Sequence, residues 1–245
     1  MCACLLLASA AWAQEPREAL NVNASFAPDR LGASTNLSLA ASFASDTGRA
    51  PSPVTKFTLF TPAGIGVDTR GVGTCAPAAL ERRGPGACPL DSRAGFGGGV
   101  GVDELPNETI RVPYTLDFFF AAKRSGGLRV LIHVEAAAPA NVQLALVARE
   151  IPAPKPYGFG FTVEVPPLST SPGLPNASVE SVFVTVGSPD VAYYESVHGH
   201  ERLVRVRGVS VPKSCPGGGF PVQGTASFAD GTTLTADPTI PCPGG

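Results

Sequence analysis

Apolar and polar residues alternate with period two along most of the chain, in runs too short for amphipathic helices. Leu20, Val22, Ala24 and Phe26 fall on one face of an extended segment, and Leu37, Leu39, Ala41 and Phe43 repeat the spacing. The same reading predicts strands over 55–61, 96–102, 109–120, 128–135, 142–150, 159–165, 179–186, 191–197 and 203–211. Val130, Ile132 and Val134 interleave with Leu131 and His133, which marks a central strand apolar at most positions. Phe118-Phe119-Phe120 puts rings on both faces of one strand, the sign of a core strand if both faces are covered and of a displayed patch if one is not. Only 76–83, between Cys75 and the Gly84-Pro85-Gly86 breaker, reads as a helix. About a dozen strands without long helices between them predict an all-β fold, an antiparallel β-sandwich or jelly roll with at most one short helix.

Turns punctuate this pattern. Ala24-Ser25-Phe26-Ala27, Ala41-Ser42-Phe43-Ala44 and Ala226-Ser227-Phe228-Ala229 each close a strand with a core Phe and then turn, without a fixed period that would make them a repeat. One stretch, 166–176, is linker-like in its Pro, Ser and Gly content. We read it as a crossover inside a single domain over 14–245, since the 69 residues after it supply only four or five strands; a domain boundary at 166–176 is the alternative.

Composition narrows the class further. Gly and Pro supply 53 of the 245 residues, against a usual share of about 12%, yet they are spread among the alternating segments, which excludes a disordered tract. The net charge is −2 and the basic residues are scattered, so no stripe fits a nucleic-acid backbone. No apolar run reaches the length of a membrane span. Residues 5–11 form a short apolar run that ends in Ala11-Trp12-Ala13, small at the two positions a signal peptidase reads. A signal peptide over 1–13, short at its N-terminal end, predicts an extracellular or cell-envelope location. Its removal takes Cys2 and Cys4 and leaves Cys75, Cys88, Cys215 and Cys242. Four cysteines allow three connectivities, and we expect the local pairs Cys75 with Cys88 and Cys215 with Cys242, each bracketing a compact loop. The spacings are far from those of a four-cysteine zinc site.

Two segments carry a resemblance. Thr61-Pro62-Ala63-Gly64 is followed by Cys75-Ala76-Pro77 and by Cys88-Pro89-Leu90-Asp91-Ser92 with Gly95 beyond it. Near the other end, Cys215-Pro216-Gly217-Gly218 is followed by Phe228-Ala229-Asp230-Gly231 and Pro241-Cys242-Pro243. Together these cover about a third of the chain, and they resemble secreted proteins of high-GC actinobacteria. The excess of Arg over Lys and the abundance of Ala, Gly and Pro agree with that source. The resemblance implies export and disulfide bonding and brings no activity with it.

Chemical signals are sparse. His198-Gly199-His200, with Glu195 and Glu201 nearby, is the candidate metal pair, because residues two apart on a strand face the same way. His133 or Glu195 is the candidate third ligand. Gly95-Phe96-Gly97-Gly98-Gly99-Val100-Gly101 lacks the spacing of a dinucleotide fingerprint and has no helix after it, so it reads as a strand admitting close backbone packing or a bulge. No G-x-S-x-G is present, and Ser92 fits a turn hydrogen bond better than a nucleophile. Asp103, Glu104, Glu135 and Glu150 form no motif that supports a glycosidase. With Trp12 in the signal, a sugar platform would rest on Tyr114, Tyr157, Tyr193 or Tyr194. These readings lead to a non-enzymatic binding or structural protein without a cofactor, its partner a cell-surface component, a carbohydrate or another protein. The alternative is a secreted hydrolase, metal-dependent, built around His198 and His200.

Overall fold

The first two alternating segments pair as β1 (Glu18–Ala27) and β2 (Ser34–Ser45), in register from Glu18 against Ser45 to Ala27 against Asn36. Val22 and Phe26 on one strand and Leu37, Ala41 and Phe43 on the other are buried, while their neighbours stay wet, as period-two burial requires. The computed structural model describes residues 18–105, 107–124, 127–138, 140–169, 176–187, 192–205 and 208–243; the signal peptide expected over 1–13 lies outside them.

The strands that follow are β3 (Val54–Pro62), β4 (Gly66–Asp68), β5 (Arg93–Leu105), β6 (Glu108–Arg124), β7 (Gly127–Ala136), β8 (Val142–Pro152), β9 (Tyr157–Glu164) and β10 (Ser178–Val186). After them come β11 (Ala192–Val197), β12 (His200–Arg205), β13 (Gly208–Ser210), β14 (Phe220–Pro221), β15 (Gln223–Phe228), β16 (Thr233–Ala236) and β17 (Thr239–Ile240). One α-helix, α1 (Pro77–Arg83), starts with Pro at its first turn and stops at Gly84, whose φ of 71° a side chain would resist.

Among the described residues thirteen strands join in one antiparallel sheet, in the order β16-β15-β3-β9-β8-β7-β6-β5-β10-β2-β13-β4 with β1 on the other side of β2. Two small pairs, β11 with β12 and β14 with β17, stand apart. The expected all-β, antiparallel class with one short helix is what the chain adopts. Its form is a single curled sheet, a half-barrel, in which β1 returns to lie beside β16. Near that return the sheet packs face to face on itself as a sandwich does: Phe43 meets Phe228 edge-on, and both join Val22, Ala41, Val54 and Ala226 in one buried cluster. Strands from both sides of the 166–176 stretch share the sheet, β10 lying between β5 and β2 and β15 beside β3.

Two further clusters set the limits of the interior. Phe26, Leu37, Ile65, Val209, Val211, Phe220, Val222 and Ile240 close one end, with Phe26 and Phe220 in an edge contact. The other lies outside the curl, where the disulfide Cys75–Cys88 and Leu80 of α1 pack on Phe119, Ala121 and Leu131. The second expected disulfide, Cys215–Cys242, is also formed. Two such bonds belong to an oxidising environment.

Candidate functional site

The three phenylalanines of β6 show how the interior is built. Phe118 and Phe120 turn inward, whereas Phe119 turns outward beneath α1 and the first disulfide, so both faces of this strand are covered. Register carries the inward face across the neighbouring strands: Leu116 stands opposite Val134 and Val134 opposite Leu144, and Phe118 opposite Ile132 and Ile132 opposite Leu146. These residues, with counterparts on β2, β3, β9 and β10, line a cavity of about 380 Å³ whose wall is overwhelmingly apolar. The outer face carries the ion pairs Arg93 with Asp117, Arg111 with Glu180 and Lys56 with Glu164. Apolar inside and charged outside is the opposite of a strand barrel that crosses a bilayer. Among the described residues no helix is long and apolar enough to cross a membrane.

The glycine-rich strand β5 lies alongside this cavity and lines it at Gly101, Val102 and Asp103. Gly95, Gly97, Gly99 and Gly101 alternate along β5 and stand opposite the inward residues Phe118, Leu116, Tyr114 and Val112 of β6. Their lack of side chains lets β10 come close: a Cβ on Gly97 would sit 2.3 Å from the carbonyl oxygen of Phe183, and one on Gly99 2.0 Å from that of Ser181. The Tyr114 ring occupies the space over Gly99, and its hydroxyl donates to the Ser181 carbonyl at 2.9 Å, beside the bulge between Val179 and Ser181. Burial pushes the Tyr114 phenol well above its ordinary pKa. Both expected features of the glycine run are present, close backbone approach and a bulge, the latter between Arg93 and Gly95.

One end of the cavity is rimmed by Pro166, Pro167, Leu168, Asn176 and Ala177, from the stretch that links β9 to β10. The backbone N–H of Val165 donates to the Thr55 carbonyl at 2.8 Å and that of Ala177 to the Leu168 carbonyl at 2.7 Å, which ties this rim to β3 and to itself. Asp103 lies at the same end, two residues beyond Gly101 and in phase with it. Elsewhere on the wall the Thr61 hydroxyl donates to the Phe159 carbonyl at 2.8 Å. Among the described residues three buried side-chain atoms lack a hydrogen-bond partner, Glu18 Oε2, His133 Nε2 and Asp103 Oδ1, and of these only Asp103 lines the cavity. In the sequence Asp103 is one of several carboxylates that belong to no motif. The usable signal was its phase, since 95, 97, 99, 101 and 103 share one face of an extended strand.

The residues singled out from the sequence fall elsewhere. His198 sits in the turn of the β11–β12 hairpin at φ 52°, with Val197 and His200 the last register pair, so strand geometry does not align the two imidazoles. Both are exposed, and the Glu195 side chain lies outside the described residues. His133 is buried on the outward face of β7, opposite Asp117 of β6. Among the described residues no three His, Cys, Asp or Glu side chains are grouped to hold a metal ion. Ser92 is fully buried and donates to the Pro89 carbonyl, a turn bond. Glu104 accepts from Arg49 and from the Ala50 N–H, which hold its carboxyl below the usual range, and Glu150 accepts from the Leu128 N–H. Of the tyrosines, Tyr157 stacks on Phe60 and reaches Asp237, Tyr194 is exposed, and the Tyr193 side chain lies outside the described residues.

Comparison of the chain with models of protein families, with curated proteins and with solved structures finds no match.

Proposed function

We propose that this chain is a non-enzymatic binding protein of the extracellular space or cell envelope that holds an apolar molecule inside its curled sheet. The observation that carries the reading is the cavity of about 380 Å³, within the size range of small-molecule sites and walled by aliphatic and aromatic side chains from most strands of the sheet. A close-packed core leaves few voids larger than a water molecule, so space of this size in an apolar interior costs stability unless something fills it. Two disulfides and the resemblance to secreted proteins support the location.

Titration with the apolar dye N-phenylnaphthylamine tests the reading. The disulfide-bonded protein is expected to bind the dye saturably at one equivalent per chain, with displacement by dodecane. Fluorescence that rises without saturation, or that dodecane leaves unchanged, refutes a binding interior.

A further inference from the structure

We infer that the molecule held in the cavity is a single-chain amphiphile whose head donates a hydrogen bond, and that Asp103 is the residue that receives it. The inference rests on the binding reading above and adds the chemistry of the ligand. Asp103 is only 8% exposed, lines the cavity, and has a buried oxygen, Oδ1, that accepts no hydrogen bond among the described residues. An unmet acceptor of this kind in an apolar interior is costly and calls for a partner. The neighbouring acid does not compete for the same contacts, since Glu104 points away on the next phase and is engaged by Arg49 and Ala50.

The position of Asp103 fixes the ligand's orientation. It stands at the rim end of β5, and from it the cavity-lining residues Val112, Tyr114, Leu116 and Phe118 of the neighbouring strand β6 run inward. Six residues of strand separate Val112 from Phe118, a length of roughly 20 Å at about 3.3 Å per residue. A hydrocarbon tail follows that row towards Leu37 and Ile65 at the closed end, and the head stays beside Asp103 at the rim of Pro166, Pro167 and Leu168. A hydroxyl or an ammonium satisfies Oδ1. A carboxylate head places an acceptor against an acceptor and is rejected.

Three probes with the same tail, dodecanol, dodecylamine and dodecanoate, are compared by displacement of the dye from the wild-type protein and from D103N. The wild type is expected to bind dodecanol and dodecylamine at least about tenfold more tightly than dodecanoate, and dodecanol, being neutral, separates donation from net charge. In Asp103→Asn the preference for dodecylamine over dodecanoate is expected to shrink to about twofold or less, and a preference that survives the substitution overturns the role given to Asp103. Equal affinities of the three probes in the wild type overturn the inference whatever the variant does, and leave the binding reading standing. Tighter binding of dodecanoate overturns it as well. Failure of all probes and of dodecane refutes the binding reading itself.

Discussion

Tyr114 joins two features that a single side chain rarely combines. Its ring fills the gap that Gly99 leaves open, and its hydroxyl ties β6 to the bulged backbone of β10 across β5. Burial raises its phenol pKa, so the folded protein keeps Tyr114 neutral at a pH where the unfolded chain, near the ordinary value of about 10, has released the proton. Above about pH 10 the unfolded state therefore binds fewer protons than the folded one, and stability falls as pH rises. Tyr114→Phe is expected to cost about 1 kcal/mol at neutral pH through the lost hydrogen bond. It is also expected to flatten the decline on the alkaline side, so that the two proteins converge. Urea unfolding measured from about pH 8 to pH 11 checks this, and parallel curves with a constant gap would show that Tyr114 titrates alike in both states.

At the scale of elements, the first disulfide does its work outside the sheet. Cys75–Cys88 closes a loop of sequence separation 13 that contains α1, and it holds Leu80 on the outward side chains Phe119 and Leu131. The Cys75 N–H donates to the Phe120 carbonyl at 2.8 Å, which pins the loop to β6. Replacing both cysteines by Ser is expected to cost about 3 kcal/mol, roughly 6–12 °C in Tm for a chain of this size. The loss should appear in calorimetry, with dye binding retained because the cavity lies on the other face of β6. Loss of binding in step with stability would mean that the loop supports the interior as well. This arrangement was only partly legible in the sequence. Period-two alternation located β3 and β5 to β10 within a few residues, because each buries one face continuously. The segment 203–211 read as one strand, whereas β12 and β13 belong to different pairs; the apolar positions move from 204 and 206 to 209 and 211, a change of phase beside Gly208 that a single continuous strand does not carry. β4, β14 and β17 are two or three residues long, too short for a period to show. The curl was not legible at all. It depends on bulges at Gly95 and at Ser181 and on how closely β10 approaches glycines of β5, which are matters of three-dimensional register.

For the whole molecule the decisive question is whether the interior is space for a ligand or a closed hydrophobic core, and the two make opposite predictions for added volume. Val134 on β7 and Leu144 on β8 are register partners that both line the cavity and are both only partly buried. In a close-packed core, replacing both by Phe overpacks the site and costs about 1–3 kcal/mol. Where a cavity stands open to a ligand, the same rings fill it, gain apolar contact and remove the volume the ligand needs. Val134→Phe with Leu144→Phe is therefore expected to hold or raise the Tm of the ligand-free protein and to weaken dye binding more than about tenfold, the loss of about 1.4 kcal/mol of affinity. The same double variant should lose the rise in Tm that saturating dodecanol gives the wild type, since a ligand stabilises only the state that binds it. A lower Tm with dye affinity intact would place the dye outside the curled sheet and return this interior to the status of an ordinary core.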